Sequence, residues 1–150
     1  MSKYIKFLLD QEHFSVDILV VQEIILPGEF KTTHIPNAPP YLRGVINLRG
    51  TIVALIDLRA KFEMSAVEET ERSRIIICKI GGEKMIGVLV DALLNVVDIA
   101  AEKIERIRSE STIIDSRHIK GIYKEQDALV VIIDIKSAVL DDVADEAISP

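Results

Sequence analysis

Tryptophan is absent from this chain, and its only aromatics are four Phe and three Tyr in 150 residues. A surface that stacks bases needs exposed rings set in a basic groove. The net charge of −6 works against it too, because such a chain repels phosphate backbones and anionic membrane surfaces. Nucleic-acid binding and direct membrane insertion are therefore not expected. There is one cysteine, Cys78, so no internal disulfide can form. It lies in "RIIICKI", an apolar strand-like run, which reads as a buried structural thiol. Pro and Gly are scarce, at five and seven, and about half the residues are apolar. That composition excludes a disordered tail and predicts an ordered globular protein.

Long hydrophobic runs are also missing. The longest unbroken one, "ALVVII", spans Ala128 to Ile133, and a helix needs roughly 20 apolar residues to cross a bilayer. Asp10 and Glu12 close the apolar N-terminal stretch too early for a signal peptide. A soluble, cytoplasmic protein is expected. Catalytic signatures are absent as well: there is no G-x-x-x-x-G-K-[ST], no G-x-S-x-G and no G-x-G-x-x-G. His13, His34 and His118 are widely spaced and follow no metal-ligand pattern. The sequence predicts no enzyme, no metal and no cofactor.

What is present is a series of short runs rich in Ile, Val and Leu, separated by turn residues. An N-terminal strand is expected at 3–9. Further strands flank "NLRG" at 47–50, "GGEK" at 81–84 and "KEQD" at 124–127, each a hairpin signal. The acidic stretch 63–73 reads as a linker. Helix is limited to short turns in "DLRAKFEM" and a short C-terminal helix in "DIKSAVLDDVADEA".

The chain also matches itself. "YLRGVINLRGTIVALIDLRAKF" (41–62) aligns with "HIKGIYKEQDALVVIIDIKSAV" (118–139) at an offset of 77. Gly44 meets Gly121, Asp57 meets Asp134, and Arg59 meets Lys136. "FSVDILVVQEII" (14–25) aligns with "IGVLVDALLNVV" (86–97) at an offset of 72. This predicts two similar barrel-forming halves, near 14–62 and 86–139, within one domain over 1–150. Features shared by both halves read as architectural. Asp57 and Asp134 end a strand and cap the helical turn after it. Gly44 and Gly121 mark backbone positions that tolerate no side chain.

Features that differ are more informative. One hairpin tip is the fully polar "KEQD", whereas the other is "NLRG". Asn47 and Gly50 supply turn chemistry, yet Leu48 and Arg49 replace Glu125 and Gln126. One reading folds Leu48 onto its own barrel and leaves Arg49 merely solvated. The asymmetry favours the other reading, an exposed Leu–Arg pair that anchors an interface.

At this point "RGVINLRGTIVALIDLR" (43–59), "VQEII" (21–25) and "IGVLVDALLNVV" (86–97) resemble the CheW family, the adaptors of bacterial chemotaxis arrays. With "HIKGIY" and "VVIIDI" the resemblance covers nearly the whole chain. It implies a mainly β fold of two similar five-stranded SH3-like β-barrels packed together. It also implies a non-enzymatic adaptor that couples the cytoplasmic tips of methyl-accepting chemoreceptors to the regulatory domain of the CheA histidine kinase, alternating with that domain in rings. The receptor's helical hairpin would lie in an apolar groove between the barrels. Val21, Glu23 and Ile24 would line or flank that groove, and Arg43, Asn47, Leu48 and Arg49 would stand at its edge and on nearby partner surfaces. Within the same family, an adaptor for surface motility or second-messenger control is the alternative. The family often has Pro at the place of Ala54 and Gly at that of Ser15. Asn95 stands at the place equivalent to Glu23, so a charge pair made by Glu23 should not recur in the second half.

Overall fold

The computed structural model describes residues 2–106 and 116–140. Among the described residues ten strands run β1 (Ser2–Leu9), β2 (Glu12–Asp17), β3 (Val21–Ile25), β4 (Leu42–Leu48), β5 (Thr51–Asp57), β6 (Arg74–Gly81), β7 (Lys84–Val90), β8 (Ala92–Ile99), β9 (Ile119–Glu125) and β10 (Ala128–Ile133). Two short helices, α1 (Leu58–Lys61) and α2 (Ile135–Leu140), follow β5 and β10. The rest of the expected C-terminal helix, beyond 140, lies outside the described residues.

The strands form two five-stranded sheets, ordered β8-β1-β2-β10-β9 and β3-β6-β7-β5-β4. These are the two SH3-like barrels, called here the outer barrel and the central barrel, because β3 to β7 come from the middle of the chain. Every neighbour pair in one order has its counterpart in the other. The pairings β2–β10 and β5–β7 are parallel and the rest antiparallel. Registers match as well: Ile132 faces Gly121 in the outer barrel as Leu55 faces Gly44 in the central one.

The sheets do not divide the chain at 14–62 and 86–139. The central barrel is drawn from 21–90, and the outer barrel takes β1 and β2 from the N-terminus and β8 to β10 from the far end. Each repeat thus gives its leading hairpin to one barrel and its next three strands to the other. The repeat was legible because similar strands share a sequence. The exchange was not, because alignment carries no information on which sheet a strand joins. Two crossings result: β2 to β3 through a 3-10 turn at Ile18–Val20, and β7 to β8 through Asp91.

Strand alternation explains the core. Ile75 and Ile77 of β6 point into the central barrel with Ile25, Ile46, Leu48, Val53 and Leu55. Ile76, Cys78 and Ile80 point the other way, into a layer between the barrels that includes Ile5, Phe7, Leu9, Phe14, Ile56 and Phe62. Both faces of β6 are buried, so "RIIICKI" reads as a continuous apolar run. Phe14 of the outer barrel stacks near Phe7 at 5.9 Å and reaches Phe62 of the central barrel at 6.4 Å. The layer between the barrels is therefore the largest core of the molecule, and each fully buried Ile or Phe in it stabilises the assembly by about 1.5–3 kcal/mol.

Candidate functional site

The turn between β4 and β5 has only two residues, Arg49 and Gly50, both with positive φ at 51° and 94°. This is the geometry of a type I′ hairpin, whose twist suits the flanking strands. The Asn47 side chain accepts a hydrogen bond from the Gly50 N–H at 2.7 Å and closes the turn. An arginine in the left-handed region is uncommon, so Arg49 is held there by other contacts. Its Nη1 donates to Glu23 of β3 at 2.7 Å, and its guanidinium stands 5.7 Å from the centre of the Phe30 ring. The bond to Glu23 raises the Arg49 pKa further. Arg49 remains largely exposed, so the pair presents one cationic and one anionic group on the surface of the central barrel.

Leu48 does not join it there. Its relative exposure is 3 %, and it packs inside the central barrel with Ile77. The expected exposed Leu–Arg pair is corrected: Leu48 is a core residue and only Arg49 is exposed. Adjacent strand residues point to opposite faces, so a hairpin cannot present both. Arg43 is also separate. It lies six residues before Arg49 on β4, about 20 Å away along an extended strand. There it bonds Glu69 of the linker at 2.6 Å and Asp57 at 3.5 Å. Arg43, Asn47 and Leu48 on β4 and Arg49 in the turn after it thus share one hairpin but not one site.

The groove residues fall into clearer order. Val21 and Ile24 of β3 pair with Cys78 and Ile76 of β6, both members of the inter-barrel layer. Directly paired residues share a face, so β3 carries that layer outward. Val21 is half-buried against it and Ile24 is exposed. In the outer barrel Leu93 and Val96 of β8 pair with Phe7 and Ile5, from the same layer, and again the first is half-buried and the second exposed. The seam between the barrels therefore has two apolar margins, Val21/Ile24 and Leu93/Val96, built from repeat-equivalent positions. Leu93 and Val96 were not singled out from the sequence, although the offset of 72 places them opposite Val21 and Ile24. Glu23 sits on the other face of β3, toward Arg49. Its outer-barrel equivalent Asn95 carries no charge.

The shared residues are placed by backbone needs. Asp57 Oδ1 accepts from the N–H groups of Arg59 and Ala60 at the start of α1, at 3.0 and 3.4 Å. Asp134 Oδ1 accepts from Ser137 N–H in α2 at 3.1 Å. Gly44 has φ 144°, and a Cβ there would stand 2.4 Å from the Thr33 carbonyl oxygen. A Cβ on Gly121 would stand 2.5 Å from Ile104. In each barrel the glycine lets an extra segment bridge to the strand, Thr33 to Val45 and Glu105 to Ile122.

Burial pushes the Cys78 thiol up to about 12, far from a nucleophile's range. Among the described residues no group of His, Cys, Asp and Glu is placed to hold a metal ion, and no helix is long and apolar enough to cross a membrane.

Comparison with known proteins fits this geometry. Residues 3–142 match the model of the CheW-like domain. The chemotaxis protein CheW of Klebsiella aerogenes is 32% identical over 135 residues, covering 90% of this chain and 80% of that protein. CheW of Bacillus subtilis is 30% identical over 149 residues, covering 99% and 93%. The crystal structure of the scaffolding protein TtCheW from Thermoanaerobacter tengcongensis superposes with a TM-score of 0.83 at 34% identity, covering 91% of this chain and 86% of that one.

Proposed function

The chain belongs to the CheW family, and from that premise we propose that it is a non-enzymatic adaptor coupling chemoreceptor tips to a CheA-type histidine kinase. The observation that carries the reading is the pair of apolar margins, Val21/Ile24 and Leu93/Val96, along the seam between the barrels. A helical hairpin laid in that seam would bury the exposed Ile24 and Val96 with its own apolar stripe, the helix-in-groove mode of recognition. The Glu23–Arg49 pair stands on the opposite face of β3 from Ile24 and offers a charged surface that fixes register and selects a complementary partner. Arg49 is assigned to that partner surface, and the kinase regulatory domain is the partner expected there. Assembly into rings with kinase domains requires two such surfaces on one molecule. The mechanism breaks no bond. Binding two partners with linked geometry lets receptor state bias kinase state.

The test is a pair of calorimetric titrations, one with a soluble chemoreceptor-tip fragment and one with the CheA regulatory fragment. Saturable binding of both is expected. The double variant Ile24→Asp/Val96→Asp should lose receptor binding and keep kinase binding. Unchanged receptor binding by that variant, with the fold intact, would remove the seam from the receptor site.

A further inference from the structure

The two crossings between the barrels are equivalent in the repeat, but they are secured differently. At the crossing from β7 to β8, Arg59 of α1 is buried, with a side chain 7% exposed. Its Nη2 donates to Asp10 Oδ1 at 3.2 Å, and its Nε lies 3.6 Å from Asp91 Oδ1. Asp10 belongs to the β1–β2 turn of the outer barrel, Asp91 is the crossing residue, and Arg59 belongs to the central barrel. The Asp10 N–H also donates to Asp91 Oδ2 at 2.8 Å, and the Asp91 N–H to the Leu8 carbonyl at 3.0 Å. One guanidinium thus ties both barrels and the segment that joins them.

At the crossing from β2 to β3 every counterpart is different. Leu19 stands where Asp91 stands and is 77% exposed. Gly82 stands where Asp10 stands. Lys136 replaces Arg59 and is exposed, and no carboxylate is bonded to it among the described residues. Its Nζ lies 3.9 Å from where a Cβ on Gly81 would be, beside the β6–β7 turn. The position is the same, yet the tie is missing.

We propose that Arg59 is a positioning residue: with Asp10 and Asp91 it pins the two barrels at one crossing and so sets their relative orientation, leaving the other crossing as the side free to move. A planar guanidinium that bonds one carboxylate and ion-pairs with a second holds geometry better than a flexible ammonium does. The free crossing leads straight into Val21 and β3, so a small rotation about the pinned end changes the spacing of the apolar margins most at the end where β3 begins. The consequence for receptor binding rests on the reading of the seam as the receptor's site; the pinning itself does not.

The test measures orientation directly. Spin labels at Ile52→Cys and Leu129→Cys, both exposed and one on each barrel, report the distance between barrels, while the buried Cys78 stays unlabelled. In the parent a narrow distribution is expected. Arg59→Met keeps the apolar stem and removes the ties, and should broaden or shift the distribution, by about twofold in width for a hinge released on one side. Lys136→Met should leave it unchanged. Asp10→Asn retains the left-handed turn and removes one partner charge. It should give an intermediate width, and it serves if Arg59→Met does not fold. A distribution in Arg59→Met, or in Asp10→Asn should only that variant fold, that matches the parent overturns the proposal. Equal broadening by Lys136→Met does the same. Titration of unlabelled Arg59→Met with the receptor-tip fragment separates the two ideas: a widened distribution with full-strength binding refutes the seam as receptor site and upholds the pin.

Discussion

Leu48 and Glu125 occupy the same position in the two barrels, and each meets the same position of the hairpin that the other repeat contributes. Leu48 shares a core cluster with Ile77, whereas Glu125 forms an ion pair with Lys6, which faces Ser15 across its hairpin as Ile77 faces the equivalent Gly87. One barrel closes with an apolar contact and the other with a charged one. Lys6 is buried, with a side chain 7% exposed, while Glu125 keeps an edge in water at 33%. Removing one member leaves a buried charge without its partner, which is costly, whereas an apolar replacement of both is often neutral or stabilising. Glu125→Leu alone should therefore lose about 3 kcal/mol in denaturant unfolding. Lys6→Ile/Glu125→Leu should return to the parent's stability or exceed it. A double variant as unstable as the single one would show that the two barrels close by different packing.

Arg49→Glu places two carboxylates where an ion pair stands. The exposed turn should keep its fold, with the unfolding midpoint close to the parent's. Binding of the kinase fragment should weaken by at least about tenfold if Arg49 is an interface anchor. The exchanged pair Glu23→Arg/Arg49→Glu separates two causes. Recovery of binding would mean that the pair matters by holding the turn, and continued loss that the partner reads the arginine itself.

Asp57→Ala should lower stability by about 1 kcal/mol, the worth of a helix cap, and leave both partner titrations unchanged. Loss of binding in a variant of normal stability would move Asp57 from architecture to the site. Gly44→Ala should cost more, at least about 3 kcal/mol, because the added Cβ meets a backbone carbonyl at 2.4 Å and the φ of 144° is strained for any side chain. Urea unfolding of the two variants side by side checks the order.

Cys78 gives a pH prediction. Its thiol is pushed from 9.0 to about 12 by burial. Between these values the unfolded chain has lost the thiol proton and the folded chain has kept it, so stability falls as pH rises. The fall attributable to this group is up to about 1.4 kcal/mol per pH unit in that window, and nothing below pH 8. Cys78→Val should flatten the alkaline slope. Native protein at pH 8 should also resist thiol reagents until it is unfolded.

These outcomes show where the sequence could be read and where it could not. Strand positions, turn tips, both Asp caps and both bridging glycines follow from local chemistry, and local chemistry is what a linear sequence carries. The contrast between Leu48 and Glu125 reads in the sequence as a surface difference, but it is a difference between two cores. Both side chains are instead engaged with their own barrels, and the compensating exchange, Ile77 against Lys6, lies on another strand. In the sequence Arg59 shows only its match to Lys136. Its partners Asp10 and Asp91 are 49 residues before it and 32 after it in the chain, and nothing local connects them.

The exchange of hairpins also bears on synthesis. The central barrel is complete once Val90 has been made, since all its strands lie between Val21 and that residue. β1 and β2 leave the ribosome earlier; β8 follows the central barrel at once, but β9 and β10 are complete only at Ile133, about 40 residues after Val90. Through that interval β2 lacks its partner β10, and Phe7, Leu9 and Phe14 have the outer face of the finished barrel and β8 to cover them. The hairpin that is synthesised first is the one whose sheet closes last.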